Sequence, residues 1–421
     1  MGPILALAGK SLWSRKGSAL LTVLAIALAV GLFLGVEKTR QGARAGFNAT
    51  ISGTDLIVGA RTGQLNLLLY SVFRMGDATA EVSWPTYQWI GERDDVAWTV
   101  PLSLGDSHRG FRVLGTTKEY FDRYKYAGGR ELALTEGALF DDLFDAVIGA
   151  DVARDLEYEL GAPLVLNHGL GRAGLQQHDD RPFRVVGVLE RTGTPVDRTL
   201  HVSLEAITAI HVGWETGTRN PLSSTISEEM IRGFDLTPKT VTAVLVGLER
   251  RGSILSTKRA MDTHRGEAIM AIIPGVALSQ LWDLTSAAER ALIAVSLFVV
   301  GVGLISILTS ILTSLNERRR EMSVLRSIGA QPSHIFLLLV LESALLGALG
   351  ALIGIAVVNI GLWVGGPVLT ELYGLVLAGV SAGLLDIQVL AAVTGAAAVT
   401  GILPAWLALK RSLADGLSVK I

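Results

Sequence analysis

The chain has 421 residues, half of them hydrophobic and 18% charged, with a formal net charge of −2 and a mean hydropathy of +0.45. That apolar content exceeds what one soluble core uses and points to the membrane, while the small net charge and the lack of a long basic tract exclude a nucleic-acid surface. Cysteine is absent, which excludes disulfides, thiolate metal sites and cysteine nucleophiles and leaves the redox compartment open.

A bilayer core about 30 Å thick needs roughly 20 uncharged residues in one helical run. The first such run, 19–36, follows Lys10, Arg15 and Lys16. It is longer than the roughly 7 to 15 apolar residues of a signal peptide, so a retained span is expected. Gly9-Lys10-Ser11 has Ile4 where a P-loop needs glycine, and it precedes a span rather than following a strand; no nucleotide or other cofactor is expected on this chain.

Residues 37–290 read as a folded mixed segment. Short β-rich runs at 183–189 and 241–246 are bounded by turn signals, and 253–261 has helix-forming composition. Two subdomains are expected, one of them built from roughly 41–102 and 237–274 with the other inserted between. His168, His178, His201 and His211, with Asp179 and Asp180 beside the second, carry zinc-ligand chemistry, but their spacing matches no tight motif. Core or surface histidines are the plainer reading, and no metal ligands are assigned. Trp84, Trp89, Trp98 and Trp214 are candidates for an apolar groove or for ordinary core.

Three further apolar runs follow at 291–315, 343–370 and 387–409, with 335–341 just ahead of the second of these. Arg318, Arg319, Arg320 and Arg326 lie between the second and third spans, and Lys410, Arg411 and Lys420 follow the fourth; 364–386 has neither Lys nor Arg. The basic residues therefore share one side, which places both termini and the 316–334 loop in the cytoplasm and 37–290 outside. The apolar stretch 372–385 is expected to be re-entrant or interfacial, because a fifth crossing would put Lys410 and Arg411 outside. Glu342 stands as the one charged residue well inside a span, expected to be satisfied by a neighbouring helix rather than to relay protons. Gly347, Gly350 and Gly354 give small-residue spacing suited to close helix approach, a candidate contact between two copies.

The loop reads Asn316-Glu317-Arg318-Arg319-Arg320-Glu321-Met322-Ser323-Val324-Leu325-Arg326-Ser327-Ile328-Gly329-Ala330. Met322, Leu325 and Ile328 make an apolar stripe on a short helix decorated by Arg318, Arg319 and Glu321; Gly329 is suited to end it and Pro332 to begin the next. This run resembles the E-R-R-x-E-I-x-x-L-R-A-x-G-A hallmark of the MacB, LolC and FtsX permeases, with Met322 in place of the isoleucine and Ser327 in place of an alanine. Three other segments resemble the family in the right order. They are Lys10-Ser11-Leu12-Trp13-Ser14-Arg15-Lys16 before the first span, Val147-Ile148-Gly149-Ala150 through Thr192-Gly193-Thr194 in the outer segment, and Pro404-Ala405-Trp406-Leu407-Ala408-Leu409-Lys410-Arg411 at the end.

The resemblance implies an α-helical membrane protein with four transmembrane helices and a large mixed α+β extracytoplasmic domain inserted between the first and second. The implied division is 1–40 for an amphipathic helix and first span, 41–282 for a MacB-like core domain, and 283–421 for an FtsX-like domain with coupling helix 317–329. Glu317, Arg318, Arg319, Glu321, Met322, Leu325, Arg326, Ile328 and Gly329 then contact an ABC ATPase that binds ATP and Mg. The implied protein is a non-catalytic permease subunit in the cell membrane, the inner membrane if Gram-negative. It is present as two copies, with an extracytoplasmic adaptor as a further possible partner, and it serves export or extraction of a lipid, lipoprotein, peptide or metal-related cargo. Two rival readings remain: an FtsX-like signalling protein that regulates a cell-wall hydrolase, and a membrane-anchored metal-binding protein.

Overall fold

The computed structural model describes residues 16–168, 181–212, 228–317, 322, 324, 326, 327, 329–373 and 383–414. Two compact units emerge, one formed by Arg44–Thr285 and the other by the long helices on either side of it in the chain.

Among the described residues, four helices are long and apolar enough to cross a membrane. They are α1 (Lys16–Ala49), α2 (Pro274–Glu317), α3 (Pro332–Tyr373) and α4 (Leu384–Ala414). Each contains one of the apolar runs and extends past it. Pro274 and Pro332 open their helices, where a missing N–H costs nothing and the fixed φ already suits the first turn. On α1 the buried side chains Val23, Ile26, Ala27, Val30 and Leu34 recur at helical spacing, whereas Leu20, Leu21, Leu24 and Leu28 on the same helix are exposed. A helix apolar on both its packed and its unpacked faces is suited to lipid rather than water. The packed face meets Ile307 and Ile311 of α2, Leu339 and Ala351 of α3, and Val393 and Ala397 of α4 in a single core.

The glycines of α3 are consumed inside this bundle. A methyl group added at Gly350 would lie 2.6 Å from Ile26 Cβ, and one at Gly354 would lie 2.7 Å from the Ala27 carbonyl oxygen. Gly347 closes in the same way on Ala397 of α4. The contact between copies expected from their spacing is therefore corrected. These positions seat α1 and α4 against α3 of the same chain, and spacing alone could not say which helix would arrive there.

The other unit is built on an 11-stranded sheet. Its principal strands are β1 (Leu56–Ala60), β2 (Val96–His108), β3 (Phe111–Thr116), β4 (Leu134–Gly137), β5 (Asp145–Ile148), β6 (Phe183–Leu189), β7 (Thr199–Ser203), β8 (Ala243–Leu248) and β9 (Ile269–Ile272). They lie in the order β9-β1-β8-β2-β3-β7-β5-β6-β4. Strand β2 changes partner along its length. Up to Leu102 it pairs antiparallel with β8, and from Ser103 it pairs antiparallel with β3, with the register slipping between Leu104 and Ser107. A bulge of this kind bends a strand and re-aims the residues within it. Parallel pairs join β3 to β7 and β5 to β6, so the sheet is mixed.

Every residue of β8 is buried, as a central strand covered on both faces requires. Ala243 and Leu245 join the core around Tyr70 and Leu102, whereas Val244 and Val246 join the core under the helix Ile254–Asp262. A separate core, around Phe183, Leu200 and Ile210, fills the part of the unit built on β3, β5, β6 and β7.

Candidate functional site

The connection between α2 and α3 is the segment that the sequence singles out. Glu317 is the last residue of α2. Met322 packs partly buried against the helix core, while Val324, Arg326 and Ser327 are exposed. Gly329 takes φ +96°, the left-handed conformation that ends helices, and its N–H donates to the Arg326 carbonyl over 3.0 Å. The chain turns helical again at Pro332. Arg318, Arg319, Glu321, Leu325 and Ile328 lie outside the described residues, so of the expected apolar stripe only Met322 is placed.

Glu342 is buried and is engaged by a polar or electrostatic contact. It is not the only ionisable side chain buried among these helices. Lys38 of α1 donates from Nζ to Asp386 Oδ2 of α4 over 2.9 Å and to Asn359 Oδ1 of α3 over 2.8 Å. The Lys38 and Asp386 side chains are only 6% and 8% exposed. Asp386 Oδ2 also accepts from the Gly383 N–H at 3.1 Å, in the first turn of α4, where the helix dipole favours a carboxylate. Both charges sit just beyond the ends of their apolar runs, which is why hydropathy reads them as flanking residues. A signal was present in the sequence, since Asp386 is the charge nearest to its run on the side away from the basic loops and Lys38 follows its run after Glu37 alone.

The histidines do not converge. His201, on β7, is completely buried and packs 5.4 Å from the Tyr120 ring and 5.6 Å from the Phe121 ring. Burial pushes its pKa down to about 3, so the ring is neutral at neutral pH. His211 follows the helix Leu204–Ile210, with Nδ1 2.7 Å from the Ile207 carbonyl oxygen and Nε2 3.8 Å from Asp106 Oδ1. The backbone of His168 pairs with that of Asp106. His178, Asp179 and Asp180 lie outside the described residues. Among the described residues no three His, Asp or Glu side chains are grouped to hold a metal.

Trp84 and Trp89 pack against one core, that of Leu56 and Met261, and Trp98 against another, that of Tyr70 and Leu102. Trp84 lies against Tyr87 and Trp89 against His264, while Trp98 covers Gly247 on the neighbouring strand, where any side chain would overlap the indole. Trp214 and 374–382 lie outside the described residues. Of the apolar stretch 372–385, Leu372 and Tyr373 finish α3, while Leu384 and Leu385 start α4.

Four apolar helices and a mixed sheet unit between the first two in chain order now stand beside two family matches. A family model of the MacB-like periplasmic core domain matches residues 19–232, half of the chain, and one of the FtsX-like permease C-terminal region matches 293–413. The chain belongs to the MacB/FtsX-type ABC transporter permeases. It is a multi-pass membrane protein. This permease is 26% identical over 373 residues to the macrolide export ATP-binding/permease protein MacB of Agrobacterium fabrum, covering 84% of the chain and 52% of that relative. It is also 26% identical over 187 residues to an uncharacterized ABC transporter permease of Methanocaldococcus jannaschii, covering 42% and 40%. The permease thus spans about half the length or less of these curated relatives. Among solved structures it is similar to the periplasmic region of MacB from Actinobacillus actinomycetemcomitans, at 11% identity and a TM-score of 0.33 over 55% of this chain and 94% of that one. The extracellular domain of the noncanonic ABC-type transporter YknZ from Gram-positive bacteria matches at 15% identity and a TM-score of 0.30, over 52% and 99%.

Proposed function

We propose that this permease carries the work of ATP hydrolysis by an ABC ATPase across the membrane to its mixed unit, for export or extraction of a cargo such as a lipid, lipoprotein, peptide or metal-related substrate. The observation that carries the reading is the short connection between α2 and α3. It presents Arg326 and Val324 outward, packs Met322 inward and stops at a left-handed Gly329. In this reading residues 317–329 form the helix that seats in a groove of the ATPase, which binds the ATP and Mg.

The four helices all cross the membrane, with both termini and this connection in the cytoplasm, because every short basic segment falls on one side. The core domain 41–282 is extracytoplasmic, inserted between the first and second spans, and 283–421 forms the FtsX-like domain. The segment between α3 and α4 is interfacial or re-entrant. Two copies serve the two ATPase subunits, and an adaptor outside the membrane is a further partner. Binding, positioning and force transmission are the work of this chain, and bond cleavage is that of the ATPase.

The cysteine-free sequence makes the test direct. Leu325→Asp and Arg326→Glu are each expected to abolish copurification with the ATPase and its stimulation, while the thermal unfolding of the permease stays unchanged. A single cysteine introduced as Ser327→Cys is expected to react with impermeant maleimide only from the cytoplasmic side. Labelling from outside, or undiminished ATPase capture by both variants, would refute the reading.

A further inference from the structure

The parallel pair β3–β7 carries at its carboxyl end an open cavity of about 570 Å³ that no part of the coupling reading uses. That size is in the range of small-molecule sites, roughly 300–1,000 Å³, and the crevice outside the carboxyl ends of parallel strands is where open sheets hold their ligands. The register pairs Thr116, the last residue of β3, with Ser203, the last residue of β7. Each strand then leads into a short helix, Glu119–Arg123 after β3 and Leu204–Ile210 after β7. Glu119 and Glu205 thus spring from strands about 5 Å apart, and both line the cavity.

The lining sets four carboxylates, Glu119, Asp141, Asp142 and Glu205, against two cations, Lys118 and Arg232. Both cations are taken by aspartates. Lys118 Nζ lies 2.6 Å from Asp141 Oδ1, and Arg232 meets Asp142 through two guanidinium nitrogens, with Nη2 2.8 Å from Oδ2. Glu119 is hydrogen-bonded by the neutral Thr117 side chain and a backbone N–H, while Arg123, one turn on, lies over the Trp98 ring. The Glu205 carboxylate is exposed, and among the described residues no hydrogen bond or ion pair engages it. Two negative charges are therefore left without a cation on the cavity wall. A metal ion is not the occupant they fit, since among the described residues no three His, Asp or Glu side chains are grouped to hold one. Phe140, Leu143 and Leu236 line the same cavity. Carboxylates on two elements beside an apolar lining select a molecule that is cationic at both ends and joined by methylenes, which lie on apolar surface as a lysine stem does.

We infer that this cavity binds a short linear diamine in its diammonium form, one ammonium donating to Glu205 and the other to Glu119, with the methylenes on Phe140 and Leu143. The site lies within the mixed unit. Binding is read without the ATPase, so it stands or falls separately from the coupling reading.

The full-length permease in nonionic detergent at low salt is titrated calorimetrically with diaminobutane, and with butylamine and butanediol as its singly charged and uncharged counterparts. The diamine is expected to saturate, and butylamine to bind roughly tenfold or more weakly, the usual cost of losing a charged hydrogen bond. Butanediol is expected to give no binding heat. Glu205→Gln is expected to bring the diamine down to the level of butylamine. Lys118→Met, which releases Asp141 and removes a competing cation, is expected to tighten the diamine severalfold. Glu136→Gln, an exposed change on β4 outside the cavity lining, serves as the control for net charge and is expected to leave diamine binding as it was. Equal affinity of diamine and butylamine for the unmodified chain, unchanged diamine binding in Glu205→Gln, or an equal loss in Glu136→Gln overturns the inference.

Discussion

His201 shows how far the surroundings of one residue redefine it. As a letter in the sequence it is a metal-ligand candidate. In the fold it is a neutral ring held between Tyr120 and Phe121, with Nδ1 3.3 Å from the Val147 carbonyl. Its pKa falls from an ordinary 6.5 to about 3 because burial penalises the cation. The unfolded chain therefore takes up a proton below about pH 6.5 that the folded chain refuses until about pH 3, so stability drops as the pH falls through that window and is flat above it. His201→Phe removes this contribution while keeping the aromatic contacts. We expect the urea midpoint of the variant to fall less between pH 7 and pH 4.5 than that of the unmodified chain. Some acid sensitivity remains, because His108, buried between the Val165 carbonyl and the Tyr158 hydroxyl, is shifted the same way by desolvation. An equal fall in both proteins would show that His201 is hydrated.

Among the elements, periodicity and turn signals found what is local. Phe183–Leu189 is a strand over its expected length, the run at 241–246 is divided between the short strand Thr240–Val241 and the first four residues of β8, and the helix expected at 253–261 is Ile254–Asp262. They were legible because burial on both faces of a strand, or on one stripe of a helix, imprints composition directly. The ties between helices left no such imprint. Lys38, Asn359 and Asp386 come from three helices, and only the bundle makes them one hydrogen-bonded group. A buried pair that loses one partner strands the other charge, at a cost of about 3–5 kcal/mol, whereas an apolar replacement of both is nearly neutral. Lys38→Met is accordingly expected to lower the thermal midpoint of the detergent-solubilised permease markedly, and Lys38→Met/Asp386→Leu to recover most of the loss. A single variant as stable as the unmodified chain would mean that the pair is solvated.

At the scale of the whole molecule, the sheet unit is closed by segments far apart in the chain. β8 lies between β1 and β2, and its alternate side chains enter two different cores. The unit should therefore depend on the residues after 237 as much as on those before 108. A fragment 44–285 is expected to be soluble and to unfold cooperatively, as followed by circular dichroism, because those residues make one compact unit. A fragment 44–236, which ends before β8 and β9, is expected to lack a cooperative transition. Retention of one would place the stability of the unit in β3, β5, β6 and β7 alone.

The sequence by itself determined the membrane character of this permease, its family and several of its local elements, since hydrophobic run length, charge flanks and a contiguous motif are written along one dimension. Tertiary structure alone decided which helices the α3 glycines receive, which histidine becomes core and which lies beside a buried carboxylate, and that Lys38 meets Asp386 across 348 positions. Each of those outcomes depends on groups remote in sequence arriving at one place, where low polarity magnifies every charge and contact.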